Sequence, residues 1–319
     1  MIVGFIIGGV FIPVQPAISV KAENLLGEGV AWMRLPMIGD LFLVNTLPTL
    51  AVTVVLIGVL AYLANRSMKS SQRTDLVPRG IGNVIEAFFE LIYDLTEGAT
   101  GAKWAPVVFP WFATIMFYVL FANLLKLIPG FESVGILHHA EAGGHATSAL
   151  GSAWAMVLPG AGPYVLVPFF RGISVDLNFT FALALISVVM TQVVGFRAQG
   201  AGYLSKFFNF RTMFKVPFFG AMDFLVGLLE LISELSKILS FAFRLFGNMF
   251  AGIVLVAIVA GLLGKISILP SMVMMFELFV GLIQAFVFGM LTMVFMAQAT
   301  QGHGHEEQPA EAEADGREI

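Results

Sequence analysis

Five long apolar stretches organise the chain: 46–64, 107–128, 173–196, 216–263 and 267–299. An α-helix needs about 20 predominantly apolar residues to cross the hydrocarbon core of a bilayer. The pattern therefore predicts an all-α polytopic membrane protein with about five membrane helices. The fourth stretch is too long for a simple span. As one helix it reaches about 70 Å at about 1.5 Å per residue, more than twice the hydrocarbon thickness. No proline interrupts it after Pro217, so it reads as a long, strongly tilted helix. With the last stretch it makes a long hairpin that turns near Lys265.

Shorter patterns fill the gaps. Ile81, Val84, Ile85, Phe88, Phe89 and Ile92 recur at helical spacing, with Glu86, Glu90 and Asp94 on the opposite side. That predicts an amphipathic helix over 80–98 lying on the membrane surface; a soluble connector helix is the blander reading. Residues 129–171 are rich in Gly, Ala and Pro, and Pro159, Pro163 and Pro168 interrupt their apolar part. They read as a loop or re-entrant segment and not as a span. The tail, 300–319, is composed of Gly, His, Glu, Ala and Pro and reads as disordered. The segment 1–45 precedes the first span. Within it, Val20-Lys21-Ala22 resembles a small-residue cleavage site, yet no basic region precedes the apolar run. Residues 1–22 thus read either as a signal peptide or as an unstructured external arm.

Composition agrees with the membrane reading. Hydrophobic residues make up 58% of the 319 positions and charged residues 12%, about half the charged fraction of a soluble domain. The net charge of −4 argues against nucleic-acid binding, which needs a basic face. With no cysteine, disulfides, thiolate catalysis and Cys-ligated metals are excluded. A membrane β-barrel would alternate apolar and polar positions, unlike these continuous runs.

Basic residues set the expected orientation. Arg66, Lys69, Arg73 and Arg79 follow the first span, and Arg197, Lys206, Arg211 and Lys215 follow the third. The longer connection between spans two and three holds Arg171 alone. The first two connections are expected to be cytoplasmic and the Arg171 loop external. Five spans then put the N-terminus outside and the C-terminus in the cytoplasm.

The candidate chemistry lies inside the long fourth stretch. At 100° per residue, Glu230, Glu234, Lys237, Arg244 and Asn248 fall on one stripe about 80° wide, surrounded by Leu, Ile, Val, Phe and Ala. A charged side chain at mid-membrane costs several kcal/mol unless paired or wetted, so this face is not expected to meet lipid. In the last helix Glu277 and Gln284 are seven residues apart and lie within about 20° of each other, with Gly281 between them. One explanation is glue: Glu230 or Glu234 could pair with Lys237. It accounts poorly for Arg244, whose nearest same-face acid is Glu234, nearly three turns away. That points to an acidic partner on another chain. The carboxyls of Glu230, Glu234 and Glu277 can exchange protons. An arginine keeps its proton, so Arg244 is a fixed cation that would ionise a nearby carboxyl and repel a passing proton.

The segment Ser236-Lys237-Ile238-Leu239-Ser240-Phe241-Ala242-Phe243-Arg244-Leu245-Phe246-Gly247-Asn248-Met249 closely resembles the signature helix of the subunit a family of F-type ATP synthases. Gln284-Ala285-Phe286-Val287-Phe288-Gly289-Met290-Leu291-Thr292 resembles the family's last helix. Asn123 within Phe121-Ala122-Asn123-Leu124-Leu125-Lys126-Leu127-Ile128-Pro129, and Asp176-Leu177-Asn178-Phe179-Thr180, fit the second and third spans. The likeness runs from about residue 46 to 299. It implies a static, non-catalytic subunit that does not itself bind or hydrolyse ATP and needs no cofactor or metal. Its expected partners are the c-subunit ring, the peripheral-stalk b subunits and the rest of the synthase, in a bacterial inner membrane. Two aqueous half-channels would end at the ring, with Arg244 between them. Glu230 would line the cytoplasmic one. Glu277 would serve the external one, with Asn123, Asp176 and Asn178 nearer its mouth. Gln284 would face Arg244, and Asn248 lies one turn beyond it. Lys237, Ser240 and Gly247 match the motif without an assigned role. The chain departs from the pattern in three ways. Ile253 stands where some members carry an acid or histidine, so Glu277 is expected to stand alone on the external side. Glu234 is an extra carboxyl, and the external loop is long.

Other readings carry less. A secondary ion transporter with a mid-membrane charged site is the alternative, but neither an internal repeat nor a central Gly/Pro break is present. An intramembrane enzyme would need a nucleophile or metal constellation, and the spans contain neither His nor Cys. His138, His139, Glu141 and His145 match no strong metal spacing, and His303 and His305 read as solvated.

Overall fold

Six α-helices and six short strands form among the residues that the computed structural model describes: 22–26, 31–35, 39–74, 81–128, 131–132, 134–139, 145–149, 155–200, 202–203, 217–263 and 269–301. The two readings of residues 1–22 and the disordered-tail reading fall almost wholly outside them.

The helices are α1 (Thr46–Thr74), α2 (Ile81–Thr100), α3 (Ala105–Leu125), α4 (Leu177–Gln199), α5 (Pro217–Leu263) and α6 (Leu269–Thr300). All but α2 contain a window long and apolar enough to cross a membrane, which agrees with the five-span fold class. At 47 residues, α5 is one unbroken helix of about 70 Å. It can be held in a bilayer only tilted or projecting from it.

Helix α6 is the hub. It packs against α3, α4 and α5. One apolar cluster joins Ile115 and Val119 of α3, Ala184 and Val188 of α4, Phe241, Leu245 and Met249 of α5, and Ala285 and Phe288 of α6. A second joins Ile92 of α2 to Phe112 and Met116 of α3, Val194 of α4, and Met293 and Met296 of α6. The contact between α3 and α6 is close because Gly289 has no side chain. A Cβ there would lie 2.9 Å from both Met116 Cβ and Phe112 Cε2. Two polar ties fix the register of α4 on α6. The Ser187 and Thr292 hydroxyls bond at 2.7 Å, and Gln199 Nε2 donates to the carbonyl of Ala299.

Helix α2 turns Glu86, Glu90 and Asp94 outward and buries Ile92, Thr96 and Thr100. Its Phe88 and Phe89 rings meet Phe117 of α3, so the amphipathic helix packs on the bundle.

The segment expected as a loop or re-entrant piece holds a sheet. It holds β3 (Gly135–His139), β4 (His145–Ala149), β5 (Ala155–Ala161) and β6 (Tyr164–Pro168), antiparallel in the order β3-β6-β4-β5. The prolines are compatible with strands because of where they fall. Pro159 lies in β5, an edge strand, beside a register shift between His145 and Ala146, and Pro168 ends β6. Edges and bulges are the positions where a missing N–H is tolerated. A second hairpin, β1 (Met33–Leu35) and β2 (Gly39–Leu41), precedes α1.

Candidate functional site

Two polar regions lie on the α5–α6 hairpin. The first is the stripe on α5, which the structure divides. Glu234 is buried and pairs with Lys237 (Nζ to Oε1, 2.8 Å). The Lys237 ammonium also lies 4.7 Å from the centroid of the Phe295 ring on α6. The pairing expected of glue therefore exists between Glu234 and Lys237. Glu230, one turn earlier, is half-buried.

Past Lys237 the stripe opens. Ser240, Arg244 and Asn248 are exposed, on the same side as Ser236, Phe243 and Ala251. The opposite arc, Ile238, Phe241, Ala242, Leu245 and Met249, is buried. Arg244 makes no hydrogen bond or ion pair with any described residue. Against hydrocarbon, a cation within such an apolar, membrane-length helix would cost several kcal/mol. Gly247 lies there too, and a Cβ on it would meet nothing within 4 Å. The chain's own packing does not demand that glycine. Asn248 is tied to the neighbouring helix: its Nδ2 donates to Oε1 of the buried Gln284 at 2.7 Å.

The second region gathers where the end of α3, the start of α4 and the first half of α6 meet the long loop. Glu277 is buried there, and its Oε2 pairs with Lys126 Nζ at 3.2 Å, the two side chains 9% and 4% exposed. The expectation that Glu277 stands alone is overturned. Removing either partner would leave the other as an uncompensated buried charge. The other oxygen, Oε1, is buried without a hydrogen bond among the described residues. Gly252 of α5 makes room for this carboxyl, since a Cβ there would lie 2.7 Å from Glu277 Cδ.

Around this pair, Asn123 joins three elements. Its Nδ2 donates to the Gly281 carbonyl at 3.2 Å, and its Oδ1 accepts from Ser174 Oγ at 2.7 Å. Asp176 caps α4, accepting from the Asn178 N–H at 3.0 Å, and accepts from Thr46 Oγ1 at 3.3 Å. Asn178 itself is exposed and contributes its backbone to that cap. Glu132, in the loop beyond α3, accepts from the Gly172 N–H at 3.2 Å. Burial raises its carboxyl above the usual glutamate range. The Gly172 N–H and the Arg171 and Lys126 charges pull the other way, and the Glu277 charge adds to the rise. Arg171 is 8% exposed, and its backbone N–H donates to Thr49 Oγ1 at 3.1 Å.

The residues that sequence reasoning missed are Lys126, Glu132, Ser174 and Arg171 as a buried group. Lys126 had a signal, a lysine closing an apolar run. Arg171 had another, as the single basic residue of a long loop. Among the described residues no three His, Asp or Glu side chains converge as metal ligands. His138 and His139 lie on β3 and His145 on β4, and Glu141 is outside the described residues.

Five membrane-length helices with ionisable groups buried between them define an integral membrane protein. The sequence pattern of the ATP synthase A chain family matches residues 46–297, and the chain belongs to that family. It is 31% identical to ATP synthase subunit a of Helicobacter pylori (strain Shi470) over 254 residues, 78% of this chain and 90% of that one. It is also 31% identical to ATP synthase subunit a of Campylobacter jejuni (strain RM1221), over 77% of this chain and 86% of that one. The corresponding figures for ATP synthase subunit a of Mycobacterium leprae are 28%, 82% and 89%. Membership assigns the chain to proton transport and ATP synthesis within the F-type ATP synthase complex and displaces the transporter reading.

Proposed function

We propose that the chain is the static subunit against which a ring of c-subunits turns, and that it supplies two half-channels ending on either side of Arg244. The observation that carries this reading is the exposure of Arg244 on an apolar helix, without a partner among the described residues. A passing ring carboxylate supplies the missing anion. Arg244 keeps that carboxylate ionised and, being unable to release its own proton, blocks a direct leak between the channels.

The half-channel on the loop side opens externally and leads to Glu277, with Asn123 and Asp176 lining its approach and Asn178 at its mouth. Gln284 and Asn248 continue the polar file from Glu277 toward Arg244. Glu230 serves the cytoplasmic half-channel, with Glu234 and Lys237 beside it. Peripheral-stalk b subunits hold the chain in place. The membrane is a bacterial inner membrane, with the N-terminus outside and the C-terminus in the cytoplasm.

ATP-driven proton pumping in inverted membrane vesicles tests the reading. Arg244→Ala is expected to abolish pumping while the complex still assembles. Pumping at wild-type level in the variant would make Arg244 structural and end the proposal.

A further inference from the structure

The half-channel reading leaves one largely buried carboxyl, Glu132, without a role. Lys126, Arg171 and Glu277 all lie close enough to act on the charge of Glu132. They reach it from α3, from the segment before α4 and from α6. Glu132 is held by the Gly172 N–H. Lys126 lies against the same glycine, its Cβ 3.1 Å from where a Gly172 Cβ would stand. Lys126 thus packs on the glycine that holds Glu132, and its ammonium pairs with Glu277.

We propose that Glu132 is a proton-binding residue at the outer end of the half-channel that leads to Glu277, with Lys126 the positioning residue shared by the two carboxyls. The inference rests on the half-channel reading above. A proton from external water adds to the Glu132 carboxylate. That O–H bond then breaks as a new one forms on the Glu277 carboxylate, with channel water carrying the proton between the two. Neutral Glu277 no longer holds the Lys126 ammonium, which turns to the newly ionised Glu132. Passing the proton on toward the ring restores the first state, and no other bond changes. The burial that raises the Glu132 carboxyl suits this task, since it keeps a proton where an exposed glutamate would be ionised.

The alternative is that Glu132 only anchors the loop through Gly172. The intact synthase, reconstituted in liposomes, separates the two. ATP synthesis is driven at a fixed potential while the pH on the external side is varied, with assembly checked by purification of the whole complex. Glu132→Gln is expected to lower the rate about tenfold or more and to remove one limb of the pH profile. Glu132→Asp is expected to retain activity with the profile moved to lower pH, following aspartate's lower pKa. Lys126→Arg is expected to keep the profile that Lys126→Met displaces. An assembled Glu132→Gln complex with wild-type rate and profile overturns the inference. If that complex does not assemble, an unmoved profile in Glu132→Asp overturns it instead. Arg244→Ala is measured alongside. Pumping lost there but normal synthesis in Glu132→Gln removes this inference alone, whereas normal pumping in Arg244→Ala removes the half-channel reading beneath it.

Discussion

Arg244 and Lys126 are both cations among apolar helices, and they are treated in opposite ways. Lys126 is 4% exposed at its side chain and sits 3.2 Å from Glu277. Arg244 stands on an open face, with no described residue to pair it. A charge closed in with its counter-ion belongs to the chain's own structure and conducts only by exchanging partners. On the proposed reading, one left open on a membrane-length helix belongs to an interface, where another molecule meets its desolvation cost. The stability of this chain should therefore depend on Lys126 and not on Arg244, and its coupling on Arg244 above all.

Removing Arg244 should give the largest functional effect and the smallest structural one. Arg244→Ala is expected to lose ATP-driven pumping with the thermal midpoint of the purified complex unchanged. Lys126→Met should add a large structural effect to its displaced pH profile. It strands Glu277 as a buried charge, which costs about 3–5 kcal/mol and should lower the thermal midpoint clearly. The double variant Lys126→Met/Glu277→Gln should recover most of that loss, and failure to recover would mean the pair is not the source.

The glycines sharpen the contrast at smaller scale. Gly252→Ala pushes a methyl into Glu277 and should cost about 1–3 kcal/mol by overpacking, together with pumping. Gly247→Ala meets nothing within the chain and should leave the thermal midpoint where it is. Ser187→Ala, which breaks a buried hydroxyl pair away from both regions, should cost about 1 kcal/mol and leave pumping intact.

Much of this was legible in the sequence, for identifiable reasons. Apolar length marks the membrane helices because the bilayer imposes it. The 100° period puts Glu234, Lys237, Arg244 and Asn248 on one side of α5. Periodicity cannot tell which part of such a stripe closes against α6 and which stays open, since that depends on packing between helices. For the same reason the Lys126–Glu277 pair, 151 residues apart in sequence, was invisible, and Glu277 read as solitary. The sheet between α3 and α4 was hidden by its prolines. Those fall at an edge strand, in the turn between β5 and β6 and at a strand end, positions that composition does not distinguish from loop.

The open face is tested most directly by single cysteines, because the chain has none of its own. In the assembled synthase, Ser240→Cys and Ala251→Cys, both on the Arg244 side of α5, are to be cross-linked to a cysteine beside the ring carboxylate, with the buried Ala242→Cys as the comparison. Disulfide formation with the c-subunit from positions 240 and 251, and none from 242, is the expected result. Failure at 240 and 251 in an intact, active complex would contradict the placement of Arg244 against the ring.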